Sequence, residues 1–314
     1  MRLRVGISAC LLGQEVRWDG GHKRDRFLTD TLAPFVEWVP VCPEVELGLG
    51  IPREPIRLEG DADAPRLVAA RSRADHTAAM ARLAAARVEE LARQALAGYV
   101  LKKDSPSCGM ERVRVHGRGG VPVRRGIGVF ARTLMDRLPL LPVEEEGRLN
   151  DPSLRENFIE RLFAHARWQA LVAGRATRGA LVRFHTVHKL QLMAHDPAAY
   201  RRLGVAVARM AARPLRDTVA AYGDGLMRAL RRPATPARHA NVLEHMLGYV
   251  SDRIPGGDRA ELVDAIRDVR RGVAPLVVAL TLVRHHVRRL DVRYLAEQTY
   301  LEPHPRELML RNHV

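Results

Sequence analysis

Each of the three cysteines in this 314-residue chain follows an apolar, strand-like run. Cys10 ends a run that begins at Arg2. Cys42 follows Val36-Glu37-Trp38-Val39-Pro40-Val41, and Cys108 follows Tyr99-Val100-Leu101 through a short polar turn. If the three runs lie parallel in one sheet, all three thiols emerge at its carboxyl edge, where open α/β sheets place their ligands. Three soft sulfurs converging there would hold a metal or an iron–sulfur cluster and leave one coordination position free. The alternative is three buried thiols, since free cysteine is among the most buried residue types. The Gly, Ser, Pro and Glu neighbours are not a usual core setting. The spacings do not follow the CxxC zinc patterns. Thiolates select zinc, Cu(I) or iron–sulfur clusters, and three cysteines exclude a four-cysteine structural site within one chain.

The rest of the chain divides in two. Residues 1–150 alternate strand-like and helix-like segments. A short helix is expected over 24–33 and a long one over 75–97, with Met80, Leu83, Ala84, Val88, Leu91 and Ala95 at helical spacing. A further helix is expected over 128–137. This order indicates a parallel sheet covered by helices. Asp151-Pro152 is a helix start, with Asp as cap and Pro in the first turn. Residues 151–179 read as a connecting helix and a basic, glycine-containing linker. Residues 180–314 show helical periods almost throughout, ending in a stretch over 292–300. The expected fold is an N-terminal parallel-sheet α/β domain with an all-α C-terminal domain.

Charge follows the same division. Residues 1–170 hold 27 Lys+Arg against 23 Asp+Glu, a net of +4, whereas residues 171–314 hold 24 against 13, a net of +11. A cationic half of this kind suggests a polyanionic partner, nucleic acid first. The bland reading is solvated arginine faces. No stretch is long and apolar enough to cross a membrane; the best, 275–283, stops at Arg284. With a strand-like start and no signal peptide, a cytoplasmic location is expected. An odd cysteine count argues against a disulfide framework.

Four ordered motifs carry a resemblance: Gly6-Ile7-Ser8-Ala9-Cys10-Leu11-Leu12-Gly13, Asp19-Gly20-Gly21-His22-Lys23-Arg24, Val41-Cys42-Pro43-Glu44-Val45-Glu46-Leu47-Gly48 and Leu101-Lys102-Lys103-Asp104-Ser105-Pro106-Ser107-Cys108-Gly109. Over residues 1–150 the chain resembles the thiouracil desulfidase family. The resemblance implies a [4Fe-4S] cluster held by Cys10, Cys42 and Cys108, with the fourth iron open to the sulfur of a thiolated pyrimidine. The implied reaction is a net hydrolysis. Glu44, two residues after a ligand cysteine, is the implied base, with Glu46 as the alternative; Ser105 is the second catalytic candidate. Ser8, Lys23, Lys102 and Lys103 are candidates for substrate contacts, and Ser8 and Ser107 also for supporting the surrounding loops.

Phe184-His185-Thr186-Val187-His188-Lys189-Leu190, His239-Ala240-Asn241-Val242-Leu243-Glu244-His245 and Tyr300-Leu301-Glu302-Pro303-His304-Pro305 resemble a helical family found behind the desulfidase domain. Its implied role is RNA binding. Arginine doublets at 201–202, 231–232, 270–271 and 288–289 fit phosphate contacts, with Arg288 and Arg289 the leading candidates. Aromatics are only 5% of the chain, so recognition by charge and shape is expected rather than a stacking platform. His185 and His188 read as hydrogen-bonding helix residues in preference to a metal site. The whole reads as a tRNA 4-thiouridine desulfidase. Two alternatives are kept: a desulfidase of free thiouracil or thionucleosides, and a non-catalytic RNA-binding redox sensor.

Overall fold

The runs Val5-Gly6-Ile7 and Gly98-Tyr99-Val100-Leu101 are buried on both faces, as expected where helices cover a parallel sheet. The protein is described by a computed structural model over residues 2–117, 121–174 and 176–312; Arg175 of the expected linker lies outside the described residues. Two compact units divide it, Met1–Asn150 and Asp151–Val314. The strands of the first are β1 (Leu3–Ser8), β2 (Val36–Val41), β3 (Ile56–Glu59), β4 (Arg66–Ala69), β5 (Gly98–Leu101), β6 (Val113–His116), β7 (Val123–Gly126) and β8 (Val143–Glu145). One sheet runs β2-β1-β5-β8, every pair parallel. Its register sets Val5 beside both Trp38 and Gly98.

A second sheet, β4-β3-β6-β7, goes beyond the single sheet expected from the sequence. Its strands have four residues each, and β7 is exposed at Val123, Arg124 and Arg125. Such segments leave too little alternation to separate them from loop. Only its β3–β6 pair is parallel.

The first unit's α-helices are α1 (Pro43–Glu46), α2 (Thr77–Arg93) and α3 (Val129–Arg137). Met80, Ala84, Val88 and Leu91 form the buried stripe of α2. The last three pack in one cluster with Tyr99, Phe130 and Leu134. Helix α2 ends short of the expected residue 97, and Ala95 sits in the left-handed region at φ 51°. The helix expected over 24–33 is a π-type turn, Phe27–Leu32, tightening into a 3₁₀ turn, Ala33–Phe35. Pro34 removes a backbone donor there and fits only such an end.

The second unit is helical: α4 (Pro152–Ala173), α5 (Arg178–His195), α6 (Pro197–Ala208), α7 (Leu215–Leu230), α8 (Pro236–Leu247), α9 (Gly256–Arg271), α10 (Leu276–Arg289) and α11 (Arg293–Ala296). Side-chain oxygens of Asp151, Thr177, Asp196 and Thr235 cap four of them. Helix α4, which the sequence presents as a connector, is packed inside this unit. Asn157 donates to Leu230 O at 2.9 Å, and the Glu156 carboxylate accepts from Arg311 at 3.1 Å. The helix expected over 292–300 stops at Ala296, and Thr299 N–H then bonds Val187 O at 2.9 Å. Leu190, Leu243, Leu280 and Val283 centre the core.

Buried charge lies beside that core. Glu160 accepts from Gln191 at 2.8 Å and pairs with His195 Nε2 at 3.1 Å. Burial opposes the charge on both, yet the ion pair holds Glu160 below and His195 above its ordinary range. His185 bonds Tyr222 Oη at 3.0 Å and His188 bonds Phe184 O at 2.7 Å, the hydrogen-bonding reading. No helix among the described residues is long and apolar enough to cross a membrane.

Candidate functional site

The carboxyl ends of β1, β2 and β5 open on one cavity of about 370 Å³. Cys10 lies in the 3₁₀ turn Ala9–Leu12 directly after β1. Cys42 is the N-cap of α1, where Pro43 sets the first helical φ. Cys108 lies in the loop between β5 and β6. All three line the cavity, as do Ser8, Lys23, Glu44, Lys102, Lys103 and Ser105. Parallel strands explain the convergence: their ends share an edge although the sequence separates them widely.

The thiols are unbridged, with Cys10 and Cys108 buried and Cys42 partly so. Burial pushes the Cys10 thiol up to about 11, raises Cys42 and lifts Cys108 well above the ordinary thiol range. Cys42 adds to the cost of ionising Cys10, and Cys108 feels both. The thiols are therefore neutral on their own, and only a bound metal group would deprotonate them, because metal coordination is what deprotonates such thiols outright. Among the described residues no three His, Cys, Asp or Glu side chains are close enough to surround a single metal ion. Three cysteine sulfurs are the soft donor set that iron–sulfur clusters take.

Glu44 sits beside them, held from two sides. Its Oε2 accepts from Arg53 Nη2 at 2.5 Å and Nε at 3.1 Å, and its Oε1 accepts from Ser107 Oγ at 3.0 Å. Arg53 is nearly buried and also donates to Val16 O at 3.0 Å and Gly50 O at 2.9 Å. One further lone pair on Oε1 stays available for a water. Glu46 instead faces Arg87 at 3.3 Å and is not among the cavity-lining residues.

Ser105 Oγ accepts from Cys108 N at 3.0 Å and Ser107 N at 3.3 Å, fixing the turn that presents Cys108. Its hydroxyl hydrogen has no acceptor among the described residues. Ser8 Oγ accepts from Lys102 N at 3.0 Å and touches the Cys108 thiol, so it ties β1 to the end of β5. Lys102 Nζ is paired with Glu146, whose other oxygen accepts from Lys103 N at 2.8 Å. That pairing leaves Lys102 poorly placed to meet an anion. Lys23 lies at the rim with no ion-pair partner among the described residues. Arg288 and Arg289 lie on α10 in the second unit, Arg289 at 3.9 Å from Asp258.

Sequence reasoning missed Arg53 and Trp18. Arg53 follows a Gly- and Pro-rich loop with no periodicity to mark it. Trp18 lines the cavity while 43% exposed, an unusual exposure for so large an apolar ring. In the sequence it stands only as part of a turn beside Gly20-Gly21, and nothing local separates the two roles.

Comparison with known proteins matches each unit separately. Residues 5–146 match the family described as 2-thiouracil desulfurase. Residues 189–305 match a protein family of unknown function, DUF1722. Uncharacterized protein YbgA of Escherichia coli (strain K12) is 35% identical over 158 residues, which are 50% of this chain and 94% of that protein. A solved structure of the [4Fe-4S]-dependent thiouracil desulfidase TudS is 33% identical; the match covers 50% of this chain and all of that one, at a TM-score of 0.41.

Proposed function

Because the chain belongs to the 2-thiouracil desulfurase family over residues 5–146 and carries a DUF1722 region over residues 189–305, we propose that it hydrolytically removes sulfur from a thiolated pyrimidine. Free thiouracil is the lead substrate, since the family is described by that base and the similar TudS protein is named for it. The observation that carries the reading is the meeting of Cys10, Cys42, Cys108, Glu44 and Ser105 on one cavity. The three cysteines would hold a [4Fe-4S] cluster. When bound, such a cluster would supply a soft Lewis acid suited to polarising a thiocarbonyl.

The chain's own groups do the rest. Glu44 takes the proton of the attacking water through the free lone pair of Oε1, while Arg53 and Ser107 fix the carboxylate's orientation. Ser105 donates its unused hydroxyl hydrogen to the pyrimidine or the water. Trp18, exposed where it lines the cavity, would stack on the pyrimidine ring as aromatic side chains do with bases. Lys23 is the available cation for a substrate phosphate.

A second reading, desulfidation of 4-thiouridine in tRNA, is favoured by the net +11 of residues 171–314. The deciding experiment is sulfide release by anaerobically purified protein from 2-thiouracil, 4-thiouridine and thiolated tRNA, with iron and acid-labile sulfide measured alongside. Wild type should carry the cluster and release sulfide. Cys10→Ala, Cys42→Ala and Cys108→Ala should each lose iron, because the chain holds no spare thiol. Full iron content in any one of them, or a cluster-loaded wild type that releases no sulfide from any of the three substrates, would refute the reading.

A further inference from the structure

Arg284 lies on α10 of the second unit, half-buried at a small cavity of about 100 Å³. Arg306, Arg311 and His304 line the same cavity. Arg306 is matched by Glu302 and Arg311 by Glu156, but Arg284 has no carboxylate partner among the described residues. Its Nη2 donates to Leu301 O, and its Nε is buried without an acceptor. The charges that bear on it most are positive: Arg306, Arg311 and Arg288, the last one helical turn away on the same helix. Like charges at i,i+4 on a helix repel. Burial and these neighbours together lower Arg284 to about 10.

A guanidinium kept in that setting lacks an anion. Guanidinium groups match planar or tetrahedral oxyanions through paired N–H donors. The cavity has space for several waters or an oxyanion. We propose that this cavity, with Arg284 as its anchor, is a binding site for one phosphate group in the second unit. This site is separate from the chemistry of the first unit and stands whether or not that unit is a desulfidase. The phosphate is either free or part of a nucleic-acid backbone.

The full-length chain is titrated with inorganic phosphate in low-salt, phosphate-free buffer, with calorimetry and thermal unfolding as readouts and chloride as control. Saturable phosphate binding is expected, with affinity at least tenfold weaker in Arg284→Gln and partly restored in Arg284→Lys. In phosphate-free buffer Arg284→Gln should unfold at the same temperature as wild type or higher, since it relieves repulsion. Added phosphate should then raise wild type above it. A merely structural arginine gives the opposite, a variant less stable in every buffer. Arg306→Gln serves as the second variant and should weaken phosphate binding in the same direction. A short RNA that phosphate displaces assigns the backbone as the source, whereas RNA binding indifferent to phosphate and to Arg284→Gln assigns free phosphate. Absence of saturable phosphate binding in wild type, or equal affinity in Arg284→Gln, overturns the proposal.

Discussion

Glu44 carries two neighbours of unlike kind, and removing each has a separable effect. Arg53 and Glu44 form an ion pair in which the arginine is 5% and the glutamate 14% exposed. Removing one partner of a buried pair leaves an uncompensated charge and costs about 3–5 kcal/mol. Arg53→Met should therefore lower the unfolding free energy of the first unit by about that amount, read by urea titration. Glu44→Gln keeps an acceptor for Arg53 and should cost less. Its turnover should nonetheless fall by about 10² to 10⁴, the usual loss of a general base, with cluster absorbance intact. Normal turnover in Glu44→Gln would move the base elsewhere. Glu44 is legible in the sequence because it stands two residues after a cysteine in a motif. Arg53 is not, because its role comes from a fold-back that sets it against Glu44, nine residues away, and Val16, thirty-seven away. No local pattern encodes such a contact.

At the scale of elements, β1, β2 and β5 are readable, whereas β8, which falls in the stretch read as the domain boundary, and the second sheet are not. Strand β1 is apolar enough to announce itself, and three strand ends each mark themselves with a cysteine. Strands β3, β4, β6 and β7 have four residues each and draw their definition from partners distant in sequence, as in the pairing of Leu58 with Val115. The Cys108 loop depends on such a distant partner too. Gly128, the N-cap of α3, lies so close beneath it that a Cβ would come within 2.5 Å of the Ser107 carbonyl and 2.8 Å of Cys108 N. Its own N–H also bonds Gly109 O at 2.8 Å. Gly128→Ala must push the loop away, since backbone on both sides leaves nothing flexible to yield. The expected cost is about 1–3 kcal/mol, the range for overpacking. Iron occupancy should fall although every cysteine is present. Gly117→Ala meets nothing within 4 Å and should change neither quantity. Wild-type iron content in Gly128→Ala would show that the loop tolerates displacement.

Across the whole molecule the two units differ in what limits them. The second buries His185, His188 and His239, and burial lowers them to about 4, 3 and 4. An unfolded histidine takes up a proton near pH 6.5, so between there and about 4 the unfolded state binds more protons than the folded one. Stability must fall as pH falls through that window, by up to about 1.4 kcal/mol per pH unit for each histidine. The lowered Glu160 adds a further loss once the pH drops below the ordinary carboxylate range. His195, raised in the folded state, opposes neither trend, because it is protonated in both states below pH 6.5. Unfolding at pH 7 and pH 5 should therefore show residues 151–314 losing several kcal/mol, and an acid-insensitive second unit would contradict this. The charge division gives the remaining test. The desulfurase family match ends at residue 146, inside the first compact unit, so a chain ending at Asn150 should fold, keep its cluster and still act on 2-thiouracil. Its affinity for tRNA should drop. The dependence of binding on salt should also flatten, by about 0.7–0.9 in log–log slope for each phosphate that is no longer neutralised. The excess cation of residues 171–314 is what would neutralise those phosphates. Equal tRNA affinity and slope in the full and shortened chains would remove RNA binding from the second unit and leave free thiouracil as the substrate.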